Sequence, residues 1–253
     1  MKTKILLNIL THGDEFVGLK VADEIRRMHP SIIGNGLDIQ IANERAYKES
    51  KRFVDQDLNR VFPGNPDGSC EEKRAHELKS IIASYDMVID VHSTESGSGD
   101  MVIVTKFDNT TKKLLGALSP KYVLYMNMLP DRSLISCAQI GIALEMGSEK
   151  DDLTCTKTVK GIECLMSHVG LIDHKDSFGF ATEYFEVFTQ VEKPQGAVLE
   201  TYVKNFVLIR RGEAFARKSD GSSIIAEFDF CPVIFGSTNY ETIFGFAARI
   251  LQP

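Results

Sequence analysis

Ile5-Leu6-Leu7-Asn8-Ile9-Leu10-Thr11-His12-Gly13-Asp14-Glu15 joins an apolar run to a turn that bears a histidine and a glutamate. The run at 5–10 predicts a short buried strand, and the residues after it open a helix. A His and a Glu three residues apart share one face of a helical turn, so both can reach one cation. Zinc takes imidazole nitrogen at about 2.0–2.1 Å and carboxylate oxygen at about 2.0–2.2 Å, and its catalytic sites use three protein ligands plus an open position. The third ligand is sought at another strand end. His92, in Asp90-Val91-His92-Ser93-Thr94, follows the apolar run 87–91 and answers that description. The plainer alternative is that His12 caps the helix and Glu15 favours its N-terminus by charge.

The bounds around this stretch are ordinary. With 253 residues the chain makes one large domain, or one plus a smaller one, and buries a proper core. Hydrophobic residues at 43% and charged residues at 25% fit a globular protein. A net charge of −6 argues against nucleic acid as a partner. The five cysteines are scattered and odd in number, with no Cys-x-x-Cys, so a reducing cytoplasm is expected. Lys2 and Lys4 before the apolar 5–10 run resemble a signal peptide only faintly, because that run is short and no small-residue cleavage site follows. No apolar run approaches the ~20 residues that cross a bilayer, so no membrane is expected.

Outward from His12, a helix is predicted over 15–28, where Phe16, Leu19, Ala22 and Ile25 recur at helical spacing. Pro30 ends it. Gly34-Asn35-Gly36 is a turn, and 37–42 is a second strand. Segment 43–64 has little periodicity and is dense in Arg, Asp and Asn, as a long functional loop would be. Its arginines can hold a carboxylate, because a guanidinium fork matches two carboxylate oxygens. A charged surface loop is the alternative for this segment taken alone.

His12-Gly13-Asp14-Glu15, then Arg52 with Asp57-Leu58-Asn59-Arg60, then Asp90-Val91-His92, then Glu145 in Ala143-Leu144-Glu145-Met146-Gly147 resemble the succinylglutamate desuccinylase/aspartoacylase family. That family is similar in fold to the zinc carboxypeptidases of the carboxypeptidase A type. The match runs in order over most of the chain. The resemblance implies His12, Glu15 and His92 as zinc ligands and Glu145 as the general base that activates water. It implies Arg52 as the group that polarises the scissile carbonyl and stabilises the oxyanion. Asn59 and Arg60 would grip the substrate α-carboxylate, and Asp57 would accept a ring N–H from His12. In relatives an arginine ahead of the base-bearing strand binds an acidic substrate side chain. Arg132 is the candidate by position, with an exposed loop arginine as the alternative. Tyr240 resembles the family's substrate-binding tyrosine, with plain packing as its alternative. The family often has Asn where this chain has Asp14, which is read as a helix cap.

The rest of the chain follows the same rules. A helix is predicted over 71–85, capped by Ser69 or Asp67. Strands are predicted over 101–105, 122–126 and 141–146, and helices over 109–118 and 151–171. A glutamate within apolar 142–146 is unusual, since glutamate is almost never buried unless paired. Cys164 and His168, with Cys155 and His174 nearby, imitate a second metal site. Val159, Ile162, Leu165 and Met166 instead mark a packed helix in which cysteine acts as a small hydrophobe. Past residue 177 the composition turns to strands, at 181–191, 197–202, 206–210, 224–235 and 242–250.

The expected fold is α/β: a mixed sheet flanked by helices over 1–176, then a smaller C-terminal all-β domain over 177–253. The expected function is zinc-dependent hydrolysis of the amide in an N-acyl amino acid or a similar small carboxylate-bearing amide, with one Zn2+ per chain. A metallocarboxypeptidase acting on peptide or cell-wall fragments shares these residues and is the alternative enzyme. A non-catalytic zinc-binding carboxylate sensor is the alternative outside catalysis. The expected partner is a small molecule with a carboxylate, and self-association as a homo-oligomer stays open.

Overall fold

Every residue of the first strand, β1 (Ile5–Ile9), is buried. A strand apolar on both faces belongs inside a sheet covered on both sides. In the computed structural model, which describes residues 3–94, 100–128, 131–173, 176–237 and 240–252, β1 lies between two parallel neighbours. The elements that follow in order are α1 (Val17–Met28), β2 (Leu37–Ile41), α2 (Glu44–Lys48), α3 (Cys70–Ile82), β3 (Met87–His92), β4 (Met101–Val104), α4 (Asn109–Leu118), β5 (Tyr122–Met126), β6 (Ile140–Glu145) and α5 (Leu153–His168). The C-terminal region adds β7 (Glu183–Glu192), β8 (Val198–Leu199), β9 (Ala214–Arg217), β10 (Ser223–Ile225), β11 (Cys231–Val233) and β12 (Ile243–Ile250).

Nine strands form one mixed sheet in the order β11-β12-β7-β5-β4-β6-β3-β1-β2, and β10-β9-β8 form a small second sheet. β1, β2, β3 and β6 run parallel, whereas β4 runs antiparallel to β6. Alternate strand residues point to opposite faces, which divides the core in two. On one face Leu7, Ile89, Val102 and Leu144 pack with Val21 and Ile25 of α1, Leu115 of α4 and Ile162 of α5. On the other face Leu6, Val88, Ile103 and Ala143 pack with Leu78 and Ile82 of α3 and with Phe185 and Phe246 of the C-terminal strands. A third cluster, with Phe215, Phe230, Phe235 and Phe244, fills the C-terminal region.

The sheet crosses the compositional change at residue 177, because β7 lies parallel to β5 and β12 lies antiparallel to β7. Several expected elements shift. The 197–202 strand shrinks to β8, 206–210 contributes only the bridge Ile209–Phe230, and β9 forms where no strand was expected. The 43–64 loop contains α2 and a 3-10 turn at Leu58–Arg60. For the helix expected over 71–85, Ser69 is the cap: its side chain accepts from Glu72 N while the Glu72 carboxylate accepts from Ser69 N. No described helix is long and apolar enough to cross a membrane, and all five cysteines are free.

Candidate metal centre and cavity

Three parallel strands, β1, β3 and β6, end at the same edge of the sheet, where open α/β sheets place their ligands. His92 closes β3 and Glu145 closes β6, and the two are ladder partners. His12 and Glu15 come just beyond β1. They do not share a helix, because α1 starts only at Val17. A tight turn joins them instead: Glu15 N donates to His12 O at 3.2 Å. The turn is entered through Leu10 at φ 56°, a left-handed conformation costly for a side chain with a Cβ. It is pressed against the 46–52 segment at Gly13, where a Cβ would meet Ala46 C and Tyr47 N at 2.3 Å.

The two imidazoles converge on Glu15. Nδ1 of His12 lies 2.6 Å from Glu15 Oε1, and Nδ1 of His92 lies 2.9 Å from Glu15 Oε2. One ligand atom from each of the three residues falls within 4.8 Å of the others, and all three residues are buried. The opposite ring nitrogens each meet a carboxylate: His12 Nε2 is 3.2 Å from Asp57 Oδ1, and His92 Nε2 is 2.8 Å from Asp90 Oδ2. This is the outer support that fixes which nitrogen of a ligating histidine faces a metal. Two imidazole nitrogens and one carboxylate suit zinc, so the residues present fit such an ion.

Burial alone would lower the pKa of both histidines. Glu15 with Asp57 outweighs burial at His12, and Asp90 with Glu15 does so at His92, so both are raised, His92 strongly. Glu15 and Asp57 move the other way. Burial favours their neutral forms, but the histidines hold both carboxyls well below the usual range.

Glu145 is the exception. Its Oε2 is buried with no hydrogen-bond partner. Burial pushes its carboxyl up to about 7; His92 opposes that rise and Glu15 adds to it. A cation favours a nearby carboxylate, so an orphaned carboxylate oxygen beside a cluster of donors fits a metal at this edge.

A cavity of about 590 Å³ opens on this group, lined by His12, Glu15, Arg52, Asn59, Arg60, His92, Glu145 and Tyr240 among others. Arg52 places one guanidinium nitrogen 3.4 Å from Glu15 Oε1 and another 3.0 Å from His12 Nε2. Asn59 Nδ2 lies 3.2 Å from His92 Nε2, while Asn59 Oδ1 accepts from Leu134 N at 2.9 Å. Arg60 donates to Asn59 O at 2.9 Å. Tyr240 packs edge-on to Phe246 with centroids 6.0 Å apart. Asp14 is exposed at the rim.

Arg132 is not brought to this group. It is exposed and does not line the cavity; Ile135, from the 3-10 turn Ile135–Cys137, stands on the wall instead. Cys164 and His168 form no metal cluster among the described residues. The Cys164 Sγ donates to Asp176 O at 2.7 Å inside the helix-side core, and His174 lies outside the described residues.

Three supporting residues escaped sequence reading. Asp90 was detectable, because residues two apart on a strand share a face; Thr11 Oγ1 donates to its other oxygen at 2.6 Å. Glu149 accepts from Val17 N at 2.6 Å and from Ser93 Oγ at 3.2 Å, supplying α1 with the cap that Phe16 does not provide. Glu71 is fully buried in the first turn of α3. It accepts from Val54 N, Asp55 N and Gln56 N at 2.7, 3.0 and 3.2 Å, and from Asn43 Nδ2 at 3.2 Å. These bonds clamp the loop between Arg52 and Asp57. Glu71→Ala leaves these donors without a carboxylate and is expected to cost about 3 kcal/mol, a fall of roughly 6–12 °C in Tm. Thermal unfolding checks this, and an unchanged Tm would show that the loop is held by other contacts.

The chain matches known proteins along its length. The family profile described as "Succinylglutamate desuccinylase/Aspartoacylase catalytic domain" matches residues 2–169. The N-acyl-aromatic-L-amino acid amidohydrolase (carboxylate-forming) of Xenopus laevis is 24% identical over 258 residues, covering 85% of this chain and 82% of that protein. A probable aspartoacylase of Trichodesmium erythraeum (strain IMS101) is 26% identical over 155 residues, covering 54% of this chain and 53% of its own length. The crystal structure of murine aminoacylase 3 superposes with a TM-score of 0.83 at 18% identity, over 98% of this chain and 95% of that one, which shows a shared fold.

Proposed function

Because this chain belongs to the succinylglutamate desuccinylase/aspartoacylase catalytic-domain family, we propose that it is a zinc-dependent hydrolase of the amide bond in an N-acyl amino acid. His12, Glu15 and His92 hold the ion. When bound, zinc supplies Lewis acidity, polarising the amide carbonyl and acidifying water. Asp57 and Asp90 keep the two Nε2 atoms protonated, so that each Nδ1 is free to ligate.

The remaining steps belong to side chains of this chain. Asn59 and Arg60 bind the substrate α-carboxylate and thereby place the amide beside Glu145. Glu145 takes a proton from the attacking water. Arg52 donates to the oxyanion that forms at the carbonyl carbon. Glu145 then returns the proton to the departing amine, leaving a carboxylate and a free amino acid. Tyr240, on the cavity wall, contributes a further substrate contact.

The observation that carries this reading is the orphaned oxygen of Glu145. A buried carboxylate oxygen without a partner costs stability, and its place beside the His12–Glu15–His92 group gives it a catalytic reason to be there. A cavity of about 590 Å³ is the size of a small-molecule site and suits one acylated amino acid.

The test is amine release from a panel of N-acyl amino acids, with and without a chelator, followed by zinc add-back. Release that stops with the chelator and returns with zinc is expected. Release that persists without metal would remove the ion from the reaction. Metal uptake with no release from any substrate would favour the sensor alternative.

A further inference from the structure

We infer that the cavity selects an N-acyl amino acid with an apolar side chain, and that Ile135 excludes an acidic one. This rests on the deacylase reading above and goes beyond it by naming the substrate class. The argument begins at the carboxylate grip. Asn59 is tied to the backbone at Leu134, whose N–H it accepts at 2.9 Å, and Ile135 is the next residue. A carboxylate gripped by Asn59 lies close to this segment, and the substituent on its Cα is taken to meet the wall containing Ile135. That wall is apolar: Ile103, Met126, Met128, Ile135, Ile234 and Phe246 all line the cavity. Ile103, Ile135 and Phe246 belong to the core on the α3 face of the sheet, where Leu58, the neighbour of Asn59, also packs.

An acidic side chain needs a cation there. Among the described residues, the cationic side chains lining the cavity are Arg52, Arg60 and Lys150. Arg52 is engaged with Glu15 and is assigned to the oxyanion. Arg60 is assigned to the α-carboxylate. Lys150 follows Glu149, whose carboxylate binds Val17 N and Ser93 Oγ. Lys150 itself is exposed, whereas Ile135 is buried. Arg132, the only other candidate from sequence, is exposed and outside the cavity.

Among the described side chains on the apolar side, Ser133 carries a hydroxyl whose Oγ is buried without a partner. A hydroxyl can donate one hydrogen bond but cannot neutralise a second carboxylate, and an unpaired buried charge is strongly disfavoured. Met126 and Met128 add flexible, polarisable surface that adapts to side chains of different shape.

The experiment compares kcat/KM for N-acetyl-L-leucine, N-acetyl-L-methionine and N-acetyl-L-phenylalanine with that for N-acetyl-L-aspartate, N-acetyl-L-glutamate and N-succinyl-L-glutamate. The zinc-loaded full chain is used throughout. The apolar group is expected to lead by about 100-fold or more, since a charge with no partner is rejected far more strongly than a change of size. Calorimetric binding of the products gives a readout apart from turnover, with L-leucine expected to bind at least about 10-fold tighter than L-aspartate. Ile135→Arg is expected to narrow or invert the preference. Met128→Lys, at a half-buried position on the same wall, repeats the test if the first variant does not fold. Equal or better turnover of the acidic substrates overturns this inference and leaves the deacylase reading standing. No turnover of either group overturns the deacylase reading, and the inference falls with it.

Discussion

Glu145→Gln is expected to lower kcat by about 10²–10⁴-fold, the range that a positioned general base supplies, without unfolding the protein. The amide keeps the shape of the carboxylate but cannot accept and return a proton. Stability moves in the opposite direction. In the metal-free protein burial holds the Glu145 carboxyl up at about 7, against an ordinary value of 4.5. A folded-state pKa above the unfolded one gives a contribution that is fully present below 4.5 and lost as pH rises through 7. The metal-free wild type therefore loses stability across that window, and Glu145→Gln does not. At pH 8 the variant is expected to be more stable by on the order of 2–3 kcal/mol. Urea denaturation of both metal-free proteins at pH 5 and pH 8 measures this. Wild-type turnover in the variant would remove Glu145 from the mechanism. An identical pH dependence of the two would remove the buried charge from the energetics.

The same residue shows why much of the candidate site's geometry was readable from sequence. Glu145 stands inside an apolar strand, and His12 with Glu15 sits directly after another. Both are local contrasts against a strong hydrophobic pattern, and strand ends at one edge bring such residues together in any parallel sheet. The helix bounds were nearly as legible, because amphipathic spacing is also local: 109–118 agrees with α4, and 15–28 differs from α1 only in the turn that binds His12 to Glu15. The C-terminal strands were legible as strands but not in their pairing. Which edge accepts β7 depends on contacts between residues far apart in the chain, such as Leu124 with Phe185. Glu71 and Ile135 were hidden for related reasons. The role of Glu71 depends on a loop folding back onto a helix N-terminus. That of Ile135 depends on how one short turn points Arg132 outward and the isoleucine in.

Metal binding should show the steepest response of all to small chemical changes. His92→Ala removes one ligand and is expected to weaken zinc binding by more than the ~10–100-fold that follows loss of an outer partner. Asp57→Asn and Asp90→Asn test those outer partners and are expected to fall within that ~10–100-fold range. The pH dependence follows from the same contacts. Both histidines carry raised pKa values in the metal-free protein, because the carboxylates around them outweigh burial. A raised folded-state value means that the protonated pair stabilises the metal-free fold fully below the ordinary 6.5, and that this stability is lost as pH rises through the folded values. Zinc must displace those protons, so its affinity should climb with pH up to the raised folded values and level off above them, with release approaching two protons per ion below those values. Calorimetry in two buffers of different ionisation enthalpy counts them. In Asp90→Asn the carboxylate that raises His92 most is gone, so fewer protons should be released and the climb should be shallower. Proton release near zero in the wild type would mean that the histidines are already neutral, and His12 and His92 would then not compete with protons for the ion. Undiminished zinc affinity in His92→Ala would place the ion elsewhere.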